Sequence, residues 1–186
     1  MEKNFANPAP IGLAGFGMTT ILLNIHNAGF IELDSMILAM GIFIGGIAQI
    51  IAGKLEFQKG NTFGMTAFTL YGSFWLSLVA IIVMPIINNP VVKPATSISM
   101  GFYLLIWGIF SIFMTLAVFK KGNFALRFIF VTLDVLFLLL AIANFARSSL
   151  IHTIAGYEGI VCGGSALYLS VAEVINESYG KEVFPV

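Results

Sequence analysis

The chain has 186 residues, of which 59% are hydrophobic and only 10% charged, with nine Lys and Arg against nine Asp and Glu. A soluble domain carries about 25% charged residues, and a chain this apolar has too little polar surface to cover a globule. Disorder is excluded by the same hydrophobicity, and nucleic-acid binding by the lack of a basic excess to meet phosphates.

What remains is an all-α polytopic membrane protein. A spanning helix needs about 20 mostly apolar residues, and six stretches supply them. The segment Met1–Pro10 is polar and contains prolines, and it lacks the pattern of a cleavable signal peptide. The first span is then expected at Ile11–Ala28 and the second at Ser35–Gly53. The third covers Thr62–Ile87, the fourth Ile98–Phe119, the fifth Phe124–Phe145 and the sixth Ile154–Ile175. These runs are too long, and alternate too little, to be barrel strands. The connections are short: Gly29–Asp34, Lys54–Asn61, the two-proline segment Asn88–Thr96, Lys120–Asn123 and Ala146–Thr153. No linker divides the chain, so residues 1–186 are expected to form a single six-helix domain.

Orientation follows from the basic residues. Lys3, Lys54, Lys59, Lys120, Lys121, Arg127 and Lys181 fall on one side, and only Lys93 and Arg147 on the other. Seven against two predicts that both termini are cytoplasmic. Cys162 is the lone cysteine and His26 and His152 are the only histidines. Neither an internal disulfide nor a metal site is expected, and no cofactor. Phe16-Gly17-Met18-Thr19 recurs as Phe63-Gly64-Met65-Thr66, a faint sign of a repeated hairpin.

Polar groups within a span usually face the bundle interior or a water path. In the first helix Phe16, Thr20, Asn24 and Asn27 share one face, with Thr19 beside it. Thr66 in the third helix and Gln49 in the second extend the set of candidate path residues. Two readings stand for such a stripe: a small-solute path, or hydrogen-bonding glue between helices. Gly41-x-x-x-Gly45 marks close helix packing. Asp134 lies mid-span in the fifth helix, where it cannot face lipid cheaply. It is read either as a proton-linked carboxyl or as a structural acid bonded to a neighbouring helix. No G-x-S-x-G, H-E-x-x-H or P-loop occurs, and the loops are too short to build a catalytic pocket, so an enzyme is not expected. The residues point to a small-solute channel or transporter. Urea-type and formate-type channels and a non-transporting scaffold stay open at this level.

Asn7-Pro8-Ala9-Pro10-Ile11-Gly12-Leu13, leading into the first helix, closely resembles the NPAPLGL signature of the acetate uptake transporter family. Ile11 is the sole departure. Tyr71-Gly72-Ser73-Phe74-Trp75 resembles a second family element. The resemblance implies a homohexamer in the inner membrane, each protomer with a central pore through its six helices. It implies uptake of acetate and other short carboxylates such as succinate, with protons. It also implies a pore constriction at Phe16, Tyr71 and Leu133. An apolar ring opposes a bare carboxylate, because stripping its hydration is costly. It passes a neutral acid, or an anion met by flanking donors, and Thr20, Asn24 and Tyr71 are the expected donors.

Overall fold

Helix starts follow side-chain caps that the sequence supplies at each connection. In the computed structural model, which describes residues 6–87 and 93–186, Asp34 accepts from the backbone N–H of Met36 and Ile37 and opens α2, Ser35–Gln58. Asn61 caps α3, Thr62–Val83. Thr96 and Ser99 form a reciprocal capping box at α4, Ser97–Lys121. Asn123 caps α5, Phe124–Ala146, and Ser148 caps α6, Ser149–Tyr179. The first helix, α1, spans Ala9–Asn27 and places Pro10 in its first turn, where the missing N–H is no loss. These caps satisfy backbone donors that would otherwise be orphaned.

All six helices are long and apolar enough to cross a membrane, and no strand occurs among the described residues. The all-α, six-span expectation holds. Several boundaries differ. α6 begins at Ser149 rather than Ile154 and runs on to Tyr179, because Arg147 takes a left-handed conformation (φ 51°) and Ser148 caps at once. The expected connection Ala146–Thr153 therefore shrinks to two residues. α2 continues through Lys54 to Gln58, so the turn into α3 is only Lys59–Asn61. The α-helical winding of α3 stops at Val83 and tightens to a 3-10 turn over Met84–Ile87. The expected proline-containing loop falls largely on residues 88–92, outside the described residues, as does Lys3. Within α2, Gly41–Ala48 is wound as a π-helix, which hydrophobicity gave no means of anticipating.

The helices form a ring in which alternate members line the axis. α2 packs between α1 and α3, and α6 between α1 and α5. α4 packs along α5 and reaches α3 through aromatic side chains, with Phe74 stacked on Tyr103 at 5.6 Å and edge-on to Trp107 at 5.3 Å. This leaves α1, α3 and α5 facing inward. α1 and α6 approach at backbone distance. A Cβ added at Gly163 would lie 2.8 Å from the Gly17 carbonyl oxygen, and one added at Gly17 would lie 2.7 Å from the Leu167 nitrogen. The Gly41 and Gly45 face of α2 receives the Trp75 ring, so this motif packs within the protomer. Phe102, Ile106, Phe113 and Leu116 of α4 point outward and are exposed, as suits a surface in lipid.

Candidate functional site

Two small cavities lie on the axis. The lower one, about 40 Å³, is walled mainly by Leu13, Phe63, Ala67, Phe68, Leu126, Ile129 and Phe130, with Gln49 at one side. The upper one, about 30 Å³, is walled by Thr20, Leu23, Asn24, Phe74, Trp75, Leu136, Phe137 and Leu140. Each has room for a water-sized guest. The two walls share three residues: Phe16, Tyr71 and Leu133. These come from α1, α3 and α5, all three are buried, and the Phe16 and Tyr71 rings lie 6.2 Å apart. Three side chains placed far apart in the sequence thus form one partition.

Polar groups flank this partition on both sides. Thr20 is 2% exposed and its Oγ1 has no hydrogen-bond partner among the described residues. It stands in the wall of the upper cavity. Gln49 is 0% exposed. Its Nε2 donates to the Gly45 carbonyl at 2.9 Å, while Oε1 has no partner among the described residues. A buried polar atom without a partner is costly, so each site favours a polar guest.

The other candidates divide. Asn24 lines the upper cavity, but its Nδ2 donates to the Thr20 carbonyl and its Oδ1 accepts from Asn27. Asn27 continues the chain to His152 on α6. Thr19 turns to α2, beside Gly45, and bonds back to the Gly15 carbonyl. Thr66 is half-buried and lines neither cavity. The two copies of the Phe-Gly-Met-Thr motif therefore share only their phenylalanines, Phe16 and Phe63, as walls of the lower cavity. Asp134 lines neither cavity either; its Oδ2 lies 2.7 Å from Thr115 Oγ1 on α4.

Tyr71 corrects an expectation about donors. Its hydroxyl donates to Ser111 Oγ on α4 at 3.1 Å, so the ring walls the axis while the hydroxyl points into the bundle. Ser111 and Thr115 were missed by the sequence reading. They sit at i and i+4 in an otherwise apolar helix, the same signal that singled out α1. Changing Tyr71 to Phe is expected to leave solute flux per assembled molecule unchanged. It should cost about 1 kcal/mol of stability through the stranded Ser111 hydroxyl. Flux per molecule, normalised to protein in the membrane, checks this; a large loss at full assembly would put the hydroxyl in contact with solute.

The signature segment builds the end of the path nearest the α1 N-terminus. Pro8 and Pro10 are buried, and the Pro10 carbonyl accepts from Ser170. Gly12 lies against the Phe68 ring, where a Cβ would clash. Leu13 lines the lower cavity. Ile11 is 46% exposed, so the exchange of Leu for Ile there disturbs no buried contact. Asn7 donates to Glu173 and accepts from Lys59, both at 2.9 Å. With Ala9, Glu56 and Asn61 these residues line a wider mouth of about 240 Å³. Leu13, Phe63, Phe68 and Leu126 line both this mouth and the lower cavity. The mouth, the lower cavity and the upper cavity thus succeed one another along the axis.

This architecture is matched over nearly its whole length. A family model described as the GPR1/FUN34/yaaH family matches residues 1–185. The chain belongs to that family. It is 56% identical over 185 residues to the succinate-acetate/proton symporter SatP of Escherichia coli strain K12, covering 100% of this chain and 97% of that one. It superimposes on a structure titled as the bacterial acetate channel SatP with a TM-score of 0.95. The identity there is 55%, over 98% of this chain and 99% of that chain. It is also 37% identical over 177 residues to ammonia transport outward protein 2 of Saccharomyces cerevisiae, covering 91% of this chain and 62% of that protein. The resemblance carried by the Asn7–Leu13 signature is borne out by these matches.

Proposed function

We propose that this chain takes up acetate and other short carboxylates, succinate among them, through an axial path in each protomer, together with protons. The observation that carries the reading is the Phe16, Tyr71 and Leu133 partition between two cavities, each with an unpartnered polar atom beside it. A dry ring of this kind excludes a hydrated ion. Thr20 on one side and Gln49 on the other offer hydrogen bonds that replace water as the solute sheds it. A carboxylic acid with a pKa of about 4.3 is neutral in roughly one molecule in 500 at pH 7. Moving the abundant anion together with a proton therefore gains far more flux than waiting for neutral acid.

The chain acts without a cofactor or metal and is not an enzyme. It assembles as a homohexamer in the inner membrane. The α1 N-terminus, the α2–α3 turn and the α6 C-terminal half meet at one end through Asn7, Lys59 and Glu173. The seven-to-two distribution of basic residues supports a cytoplasmic position for that end. A second reading, a neutral-solute pore, is favoured by the yeast relative named for ammonia transport. Purified protein in proteoliposomes separates the two. Labelled acetate should enter and unlabelled short carboxylates should compete. Ammonia flux without carboxylate competition would select the second reading, and no flux at all would leave a scaffold. A cysteine at Lys93 should label from outside, and one at Lys120 should not.

A further inference from the structure

Glu56 is the most deeply buried acid of the mouth, and nothing in the transport reading uses it. It is 0% exposed on the last turns of α2. Asn61 Nδ2 donates to its Oε2 at 2.7 Å, while Oε1 is buried with no partner among the described residues. Its carboxyl rests against Gly64, where an added Cβ would fall 2.9 Å away. It lines the mouth, whose wall shares Leu13, Phe63, Phe68 and Leu126 with the lower cavity. Glu56 therefore stands where a solute passes between the dry path and water.

We propose that Glu56 exchanges the transported proton at the inner mouth. The inference rests on the carboxylate-uptake reading. A neutral acid leaving the lower cavity enters the mouth that Glu56 lines, and Oε1, buried at rest without a partner among the described residues, meets it when the side chain turns into that space. The acid's O–H bond breaks as an O–H bond forms on Glu56, and the solute departs as an anion. Glu56 then gives the proton to cytoplasmic water and is restored. In the outward direction the same steps reverse.

The surroundings fit this role. Among the described residues, the charged groups facing Glu56 across the mouth are Glu173 from α6 and Lys59 after α2. Lys59 and Glu173 are tied together through Asn7. Glu173 thus already has a donor, and Lys59 offers a cation to the anion just formed. Asn61 holds one Glu56 oxygen and leaves the other to react. The faces offered by α1, α3 and α5 are apolar at Leu13, Phe63, Phe68 and Leu126.

Equilibrium exchange of labelled acetate in proteoliposomes, with equal pH on both sides, tests the proposal. Leakage through protein-free vesicles is subtracted. Glu56→Gln keeps the shape and an acceptor for Asn61 but carries no exchangeable acid proton. At pH 5 roughly one acid in six is neutral, so the variant should exchange within about twofold of the parent. At pH 7.5 it should fall by more than tenfold per assembled hexamer, tracking the neutral acid. Glu56→Asp should restore most of the loss. An equal loss at both pH values, or none at pH 7.5, overturns the proposal; so does a failure of Glu56→Asp to recover exchange when it is fully assembled. Failure of the parent protein to exchange acetate at all would instead overturn the transport reading.

Discussion

Changing Leu133 to Ala will admit bulkier carboxylates while acetate flux holds or rises. Leu133 is 3% exposed and is the only α5 residue in the partition that both cavities share. Removing three carbons there joins the two cavities instead of leaving a closed void. The usual penalty for Leu→Ala is about 2–5 kcal/mol, rising with the volume of the cavity left behind. Here one side of the leucine already faces open space, so the low end, about 2 kcal/mol, is expected. Leu169 makes the control: it is 1% exposed on α6 and lines neither axial cavity. Leu169→Ala should cost as much stability or more and leave selectivity alone. Competition by a graded series of carboxylates, normalised to assembled protein, reads both variants. A stable Leu133→Ala protein with the parent's preference would show that the partition's α5 side does not select the solute.

The six spans were legible because lipid demands long apolar helices, and that demand is written in composition. Helix ends were less legible, since they depend on single caps. Ser148 reads as loop chemistry, yet with Arg147 it starts α6 five residues before the hydrophobic run suggests. The face shared by Phe16, Thr20 and Asn24 was legible from helical spacing. Which of its donors are already engaged was not. Asn24 donates within its own helix and Tyr71 donates to Ser111, both tertiary facts beyond any periodicity. The partition itself was reached through family resemblance, because no spacing rule relates residues 16, 71 and 133. Glu56 fell within the expected Lys54–Asn61 connection. It became visible only when α2 was seen to continue past Gly53 and carry it into the bundle.

Gly163 lies where α6 meets α1 at backbone distance, so enlarging it should be strongly damaging. A Cβ there would lie 2.8 Å from the Gly17 carbonyl oxygen and 2.8 Å from the Ile21 nitrogen. Both obstacles are backbone, so no rotamer change relieves them. Overpacking a core with flexible neighbours costs about 1–3 kcal/mol. With a rigid neighbour, Gly163→Ala should reach the upper end and Gly163→Leu should exceed it. Membrane helices have no hydrophobic drive to stay together once their close fit is lost, so α1 would move away from α6. Phe16 and Thr20 ride on α1 and would move with it, and the partition would lose one of its three sides. The adjacent residue supplies the comparison. A Cβ at Gly164 meets nothing within 4 Å, and alanine is the better helix former by about 1 kcal/mol. Gly164→Ala should therefore assemble as well as the parent. Thermal loss of the folded protein in detergent, measured for both alanine variants, decides the matter. If the two melt together, backbone contact between α1 and α6 does not hold the wall in place, and the partition's geometry must be set by α3 and α5.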